Sequence, residues 1–484
     1  MMHGIQGDSM YLSKLIDAKD PVLIRGNKEK EILGLRTDSK EVRPKDLFIA
    51  ISSQRQHIDE AILSGAVAVV VDIFNPFLPK EITQIEHPSP RNYAGILANR
   101  FYQNPTQNLK LFGVTGTCGK TTTTWMIRHL LGEKFCGVLG TLGAWTEDHC
   151  VEIPLTTPEP VTICRILHEM AKVGLKFCAM ECSSHGLDQN RVGHLQFEAA
   201  VFLNLSHDHL DYHKTMEAYY QSKRKLFEYE SKNCVFFLDD PYGKKLFEEF
   251  QKKGTTFGTD PKATFRMEDV SVSMTKSFCT LVHQGEKHRL EVPMIGGYNL
   301  YNMVTAIAAV YPYVCDISLL CQRAKTFPQV PGRSELIKTD RGFHVMVDYA
   351  HKPDALEKLL QSVKEAGFRK ITTVFGCGGE RDSEKRAKMA SIAERYSNKV
   401  IVTNDNPRKE DPHKIIEMIC SGFSSDSYRV VIDRKEAIRL ALKEAEEGEL
   451  VVIAGRGHEK ELKLRTGSIP FLDSEVAKNL LVEI

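Results

Sequence analysis

At 484 residues the chain is longer than one hydrophobic core usually serves, so two or three domains are expected. Its 42% hydrophobic and 26% charged residues are those of an ordinary globular protein, and no apolar run approaches the length of a membrane span. Lys and Arg total 64 against 63 Asp and Glu, which gives no electrostatic argument for nucleic acid or an anionic membrane and points to small-molecule partners. Residues 1–103 carry short β-rich pieces, including Asp46–Ala50 and Ala66–Val71, and end at the turn signal Asn104-Pro105-Thr106; they read as a small α/β domain. Met1–Leu12 lacks the charged-then-apolar layout of a signal peptide, so the cytoplasm is expected. From Leu109 to about Pro331, apolar runs at Leu111–Val114, Phe177–Met180, Ala199–Leu203 and Val235–Leu238 alternate with helical patterns such as Thr215–Tyr229. That alternation predicts a mainly parallel sheet covered on both faces. The break Gln329-Val330-Pro331-Gly332 opens a third unit with strands at Val345–Val347, Ile371–Phe375, Val400–Thr403 and Val451–Ile453, a Rossmann-like pattern without G-x-G-x-x-G after its first strand. The expected fold class is α/β with three domains, bounded 1–103, 104–331 and 332–484. Twelve cysteines occur without a C-x-x-C pair, several inside apolar runs (Cys178, Cys279, Cys377), which predicts buried thiols rather than disulfides or zinc.

The stretch Gly113-Val114-Thr115-Gly116-Thr117-Cys118-Gly119-Lys120-Thr121-Thr122 follows an apolar run and opens into a helical pattern at Thr121–Leu131. A strand, a glycine-rich turn and a helix N-terminus place backbone N–H groups and a positive dipole end around a phosphate chain. Gly116, Thr117, Gly119, Lys120, Thr121 and Thr122 are therefore the expected nucleotide contacts, with Lys120 on the outer phosphates and the Thr121 hydroxyl on Mg²⁺.

Ligands of open parallel sheets bind beyond the carboxyl ends of the strands, and the polar clusters after the apolar runs lie there. Glu181 follows Phe177–Met180 and would project toward the nucleotide loop, where a carboxylate can ligate Mg²⁺; the alternative is a cap for the next helix. Asn204–His213 packs His207, His209 and His213 with Asp208 and Asp211. Zinc is disfavoured because there is no H-E-x-x-H helix and no cysteine companion, leaving a histidine as a magnesium ligand or phosphate contact.

The set GTCGKTT, TTPE (156–159), MECSSHGLDQNRV (180–192), NLSHDHLDYHKTMEAYYQSKRKLF (204–227), GGYNLYN (296–302), VPGRSE (330–335), VDYAHKPDAL (347–356), GCGGERD (376–382), DNPR (405–408) and AGRGHE (454–459) resembles the Mur ligases, in their order and over nearly the whole chain. The resemblance implies ATP-dependent amide synthesis in peptidoglycan precursor assembly: phosphorylation of the D-Glu γ-carboxylate of UDP-N-acetylmuramoyl-L-alanyl-D-glutamate, attack by an amine, and loss of phosphate. It implies a UDP-binding first domain, a central ATPase domain and a C-terminal amino-acid-binding domain, working as a monomer. It implies metal ligation by Thr121, Glu181, His207 and a carbamylated Lys223, with Lys120, Glu181, His207 and Lys223 as the catalytic set. Read without the motif, Lys223 would be a solvated helix-face residue. Ser39, Thr156, Thr157, Ser183, Gln189 and Arg191 would hold the UDP substrate. Asn299, Asn302, Arg333 and Asp348 would complete the ATP site.

The resemblance further implies that Arg381, Asp405, Asn406, Pro407, Arg408, Gly455 and Glu459 receive the amine, and that an arginine at the fourth position of DNPR marks the members adding meso-diaminopimelate. The chemistry agrees, because that amine carries a distal carboxylate for arginine and a distal ammonium for Asp405 or Glu459. The alternatives are an L-lysine-adding Mur ligase and a folylpolyglutamate-synthase-like ligase. The sequence departs from the family pattern at Cys118, Phe237, Lys352, Arg456 and Glu461-Leu462, and the segment Ser52–His57 lacks a usual glycine-rich stretch, so uridine contacts are not assigned there.

Overall fold

The computed structural model describes residues 9–51, 57–147, 149–251 and 254–484, so most of the Ser52–His57 segment lies outside the described residues. The chain forms two compact units, Met1–Phe257 with Thr305–Val314, and Gly258–Val304 with Cys315–Ile484.

In the first unit a five-stranded sheet runs in the order Leu23–Arg25, Thr83–Glu86, Ala68–Val71, Asp46–Ile49, Gly34–Arg36. Its pairings are parallel except at Leu23–Arg25. Asp46–Ile49 and Ala68–Val71 are buried at every position, as continuous apolar runs in a covered parallel sheet should be. The helix Pro90–Phe101 starts on a proline, which suits the first helical position, and buries Tyr93, Ala94, Leu97, Ala98 and Phe101.

The larger sheet of this unit is ordered Cys150–Val151, Gly143–Trp145, Cys136–Gly140, Phe177–Glu181, Lys110–Thr115, Phe197–Phe202, Ser231–Phe237, Gly254–Gly258. It is parallel from Cys136–Gly140 onward and antiparallel at the edge hairpin. Because Lys110–Thr115 lies between Phe177–Glu181 and Phe197–Phe202, the loops leaving those three strands open at one sheet edge. The helix Met216–Glu228, capped by the Thr215 hydroxyl, covers the sheet beneath them.

The second unit contains three antiparallel strands, Phe265–Val272, Ser277–His283 and Glu286–Val292. The mainly parallel pattern expected between Leu109 and Pro331 therefore ends in antiparallel strands that were not read from the sequence. The cause is local: Gln284 and Gly285 take φ of 51° and 85°, the two-residue turn that joins antiparallel neighbours. The remaining sheet is ordered Glu335–Ile337, His344–Asp348, Leu450–Ala454, Ile371–Phe375, Lys399–Val402, Tyr428–Val430, parallel except at its first edge strand. This is the expected Rossmann-like layer. Cys178, Cys279 and Cys377 are buried thiols, as their apolar settings predict.

Beneath the end of Leu450–Ala454, Arg434 and Asp473 form a fully buried ion pair, with Nε to Oδ1 at 2.8 Å and Nη2 to Oδ2 at 2.7 Å. Arg434 also donates to the carbonyls of Asn404 (3.1 Å) and Ala454 (3.0 Å), so it fixes the loops that follow two strands. Removing one partner leaves an uncompensated buried charge. Asp473→Asn should therefore lower unfolding free energy by about 3–5 kcal/mol, read from denaturant midpoints at constant m-value.

Candidate active site

The glycine-rich turn is shaped by backbone before any side chain acts. Gly119 caps the helix Lys120–Leu131 with φ of 90°, a conformation that disfavours any residue with a Cβ. The Asn204 side chain then clamps the turn, accepting from the Cys118 N–H (3.0 Å) and donating to the Cys118 carbonyl (3.1 Å). Because Cys118 is recognised through its peptide groups, the loop does not demand a particular side chain there. Thr117 is fixed by the Asn204 carbonyl (2.9 Å), the Ser206 N–H (3.0 Å) and the Tyr219 hydroxyl (3.2 Å).

Two ammonium groups converge on one carbonyl. Lys120 Nζ donates to Gly116 O (2.8 Å) and Thr117 O (3.1 Å), and Lys223 Nζ reaches the same Gly116 O at 2.9 Å. Lys223 is only 1% exposed and lies 4.6 Å from the Tyr219 ring centroid, which overturns the solvated reading of its helix position. The Lys120 ammonium, at the start of its helix, supplies positive charge of the kind a polyphosphate needs.

Glu181 is buried at the tip of its strand and does not cap the following helix; Ser183 does that through the Gly186 N–H at 3.1 Å. Its carboxylate accepts from the Thr121 hydroxyl (3.1 Å), the Thr141 N–H (2.8 Å) and the Thr141 hydroxyl (3.1 Å). A Cβ on Gly140 would stand 2.3 Å from Glu181 Oε1, so only glycine lets this carboxylate lie against the neighbouring strand. The hydroxyl of Thr121 and the carboxylate of Glu181 form the hard-oxygen pair that suits Mg²⁺ beside phosphate. Among the described residues no group of three or more His, Cys, Asp or Glu is arranged to hold a metal.

His207 is exposed on the loop after Phe197–Phe202, whereas His209 packs its ring 5.0 Å from His185 and 6.2 Å from Tyr219, the ring that lies by Lys223. The His209 side chain, still 41% exposed, thus packs on these rings, whereas His207 is exposed.

The residues expected to hold the UDP substrate meet beside Glu181. Thr157 Oγ1 donates to Glu181 O (2.8 Å) and accepts from the Ser183 N–H (2.9 Å), and Thr156 Oγ1 lies 3.2 Å from Thr141 Oγ1. Arg191 donates to Thr157 O and to Gln189 Oε1, both at 2.6 Å, and pairs with Glu159 at 3.3 Å. Burial pulls the Arg191 guanidinium below its ordinary range, opposed by Glu159. Ser39 stands apart in the five-stranded region, buried and donating to Glu60 at 2.6 Å.

In the second unit, Asn299 Nδ2 donates to Ile295 O at 2.8 Å, and Asn302 lies one turn on, with its amide 3.4 Å from Asn299. The hydroxyls of Tyr298 and Ser334 meet at 2.9 Å and join this helix start to Arg333 and Asp348. Asp348 accepts from the N–H groups of Ser334 (2.6 Å) and Ala350 (2.7 Å), while burial pushes its carboxyl up against the opposing Arg333 charge. Arg333 stacks over Tyr349 at 4.5 Å.

A second cluster follows the strands Lys399–Val402 and Leu450–Ala454. Asp405, Asn406 and Pro407 are buried, and Asn406 donates to Glu459 Oε2 (2.6 Å) while accepting from the Lys463 N–H (2.8 Å). Arg408, at φ of 55°, has its N–H on Lys463 O (3.0 Å) and its Nη1 on Gly379 O (2.7 Å). A Cβ on Gly455 would come 3.0 Å from Asp405 Oδ2, so this glycine keeps the approach to Asp405 open. Arg381 is exposed on the loop that supplies Gly379. The cluster thus sets carboxylates and an arginine side by side, the complement of a zwitterion.

Thr141, Asn204 and Tyr219 take part in these clusters without having been singled out from sequence. Thr141 was within reach, being a polar residue directly after the apolar run Cys136–Gly140.

A mainly parallel sheet carrying a glycine-rich strand–turn–helix, with a buried carboxylate at the tip of the neighbouring strand, is the arrangement of an ATP-dependent ligase. Family models for the Mur ligase middle domain and the Mur ligase glutamate ligase domain match residues 114–310 and 332–457. The UDP-N-acetylmuramoyl-L-alanyl-D-glutamate--2,6-diaminopimelate ligase of Alkaliphilus metalliredigens is 37% identical, over 98% of this chain and 98% of its own. The protein of the same name from Aquifex aeolicus is 40% identical over 93% of this chain and 94% of its own. A solved structure of a ligase of that name superposes with a TM-score of 0.71 at 31% identity, covering 98% of this chain and 99% of the other. The chain belongs to the Mur ligase family.

Proposed function

We propose that the protein joins meso-diaminopimelate to the D-Glu γ-carboxylate of UDP-N-acetylmuramoyl-L-alanyl-D-glutamate, with ATP and Mg²⁺, in peptidoglycan precursor synthesis. The observation that carries this reading is the pocket of Asp405, Asn406, Arg408 and Glu459, in a chain similar along its length to ligases named for that amine. The γ-phosphoryl group passes from ATP to the carboxylate, leaving ADP and an acyl phosphate. The amine attacks the carbonyl carbon, loses a proton, and the tetrahedral intermediate expels inorganic phosphate.

The residues divide these steps among them. Lys120 and the N-terminus of the helix Lys120–Leu131 hold the transferred phosphoryl group. Thr121 and Glu181 would hold Mg²⁺, which supplies charge neutralisation at the phosphates. Lys223, buried beside Tyr219, is placed to become an anionic oxygen donor if it takes up CO₂, and His209 is better placed than His207 to assist it. Thr156, Thr157, Ser183, Gln189 and Arg191 orient the dipeptide arm, Ser39 the uridine end, and Asn299, Asn302, Arg333 and Asp348 the nucleoside of ATP. The domains would follow the boundaries 1–103, 104–331 and 332–484, in a monomer of the cytoplasm. Its reducing conditions suit the unbonded Cys178, Cys279 and Cys377.

The test is phosphate release by purified protein with ATP, Mg²⁺ and the UDP-dipeptide. Release should require meso-diaminopimelate, and equal turnover with L-lysine at the same low concentration would overturn the amine assignment.

A further inference from the structure

Arg456 follows the strand Leu450–Ala454 and is fully buried. One arm of its guanidinium serves the backbone, since Nη2 donates to Glu461 O (2.7 Å) and Phe471 O (3.2 Å) and so ties down both ends of the hairpin Glu461–Leu464 and Gly467–Pro470. The other side has no such duty. Nε and Nη1 make no hydrogen bond to the described residues, and Nε faces Glu459 Oε2 at 3.8 Å.

A buried guanidinium requires a counter-charge. Asp473 lies within electrostatic reach of Arg456 but is committed to Arg434 through both oxygens. Asp405 and Glu459 both act on Arg456 through charge, and Glu459 is the one in ion-pair range of Nε, its Oε2 held from the other side by Asn406 at 2.6 Å. Lysine could not divide itself in this way, because its point charge lacks the fork that serves two carbonyls and a carboxylate at once.

We propose that Arg456 is a positioning residue that holds Glu459 as an oriented carboxylate for an ammonium group of the incoming amine. The proposal rests on the reading of this pocket as the amine site. Arg456 stays behind Glu459 and does not touch substrate.

The groups facing Glu459 make the consequence calculable in sign. Burial pushes its carboxyl up and Asp405 adds to that, while Asn406, Arg456 and Arg408 oppose it. Tyr349 and Arg434 also lie within electrostatic reach. Loss of Arg456 removes an opposing charge, so the Glu459 carboxyl rises further. A protonated Glu459 cannot hold an ammonium, so the defect should be worst at low pH and recede as pH rises.

The experiment uses full-length Arg456→Met and Arg456→Lys proteins. The Glu459 titration is followed by carboxyl ¹³C NMR on glutamate-labelled protein, with Glu459→Gln to assign the signal. The midpoint should move up by about one unit or more in Arg456→Met. KM for meso-diaminopimelate should rise about tenfold near neutral pH and recover at higher pH, with kcat much less changed. Arg456→Lys, which keeps the charge, should give a smaller shift and serves if the methionine variant does not fold. An unmoved Glu459 midpoint, or a KM change equal at all pH values, would overturn the proposal. If the parent protein shows the coupling but does not use the diamine, the functional reading fails and the Arg456–Glu459 pairing stands.

Discussion

Lys120→Ala should reduce ATP-dependent phosphate release by about 10³-fold or more, because the group removed is aimed where negative charge gathers during phosphoryl transfer. Lys120 Nζ rests on Gly116 O and Thr117 O, so its position is set by the turn itself. Lys223 meets the same Gly116 carbonyl, but it is buried under Tyr219 and cannot swing into the vacated place. Lys120→Arg keeps the charge and should still lose most activity, since a planar fork does not fit a site shaped by a single Nζ. Nucleotide affinity measured by calorimetry separates binding from chemistry, and a melting temperature near the parent's excludes misfolding. Turnover within tenfold of the parent would remove Lys120 from the phosphoryl-transfer role.

The nucleotide end of the site was legible because it is local. A strand, a glycine-rich turn and a helix are contiguous in sequence, and the rule that polar residues after apolar runs line the sheet edge also reached Glu181 and Asp405–Arg408. Lys223 shows the limit of that reading. Its place on Met216–Glu228 is fixed by the helical period, but its burial comes from the turn at Gly116 and the Tyr219 ring, which pack above the helix. Periodicity says which face a residue occupies, and only tertiary packing says what covers that face. His207 and His209 were indistinguishable for the same reason, since two residues of loop decide which ring turns inward. The strands of Phe265–Val292 were not read from the sequence because Gln284-Gly285, the local mark of their tight hairpin, is a modest turn signal.

Arg408→Ala should cut kcat/KM for meso-diaminopimelate by about 10²-fold to 10³-fold and leave kcat/KM for L-lysine far less affected, collapsing the preference between them. The backbone is the origin of this effect. At φ of 55° Arg408 occupies a conformation that non-glycine residues rarely adopt, held by its N–H on Lys463 O. That strain aims the side chain toward Gly379, whose carbonyl takes Nη1 and leaves the rest of the guanidinium for a ligand carboxylate. Lysine has no distal carboxylate, so it gains little from Arg408 and loses little without it. Arg408→Gly separates geometry from chemistry, because glycine relieves the backbone while removing the guanidinium. If Arg408 serves only to shape the loop, the glycine variant should keep meso-diaminopimelate turnover. If it reads the carboxylate, alanine and glycine variants should fail alike, with KM for ATP close to the parent's in both. Product formation with each amine, followed by mass spectrometry across a concentration series, gives both ratios. Proportional losses for the two amines would assign Arg408 to loop structure and return the choice of amine to Asp405 and Glu459.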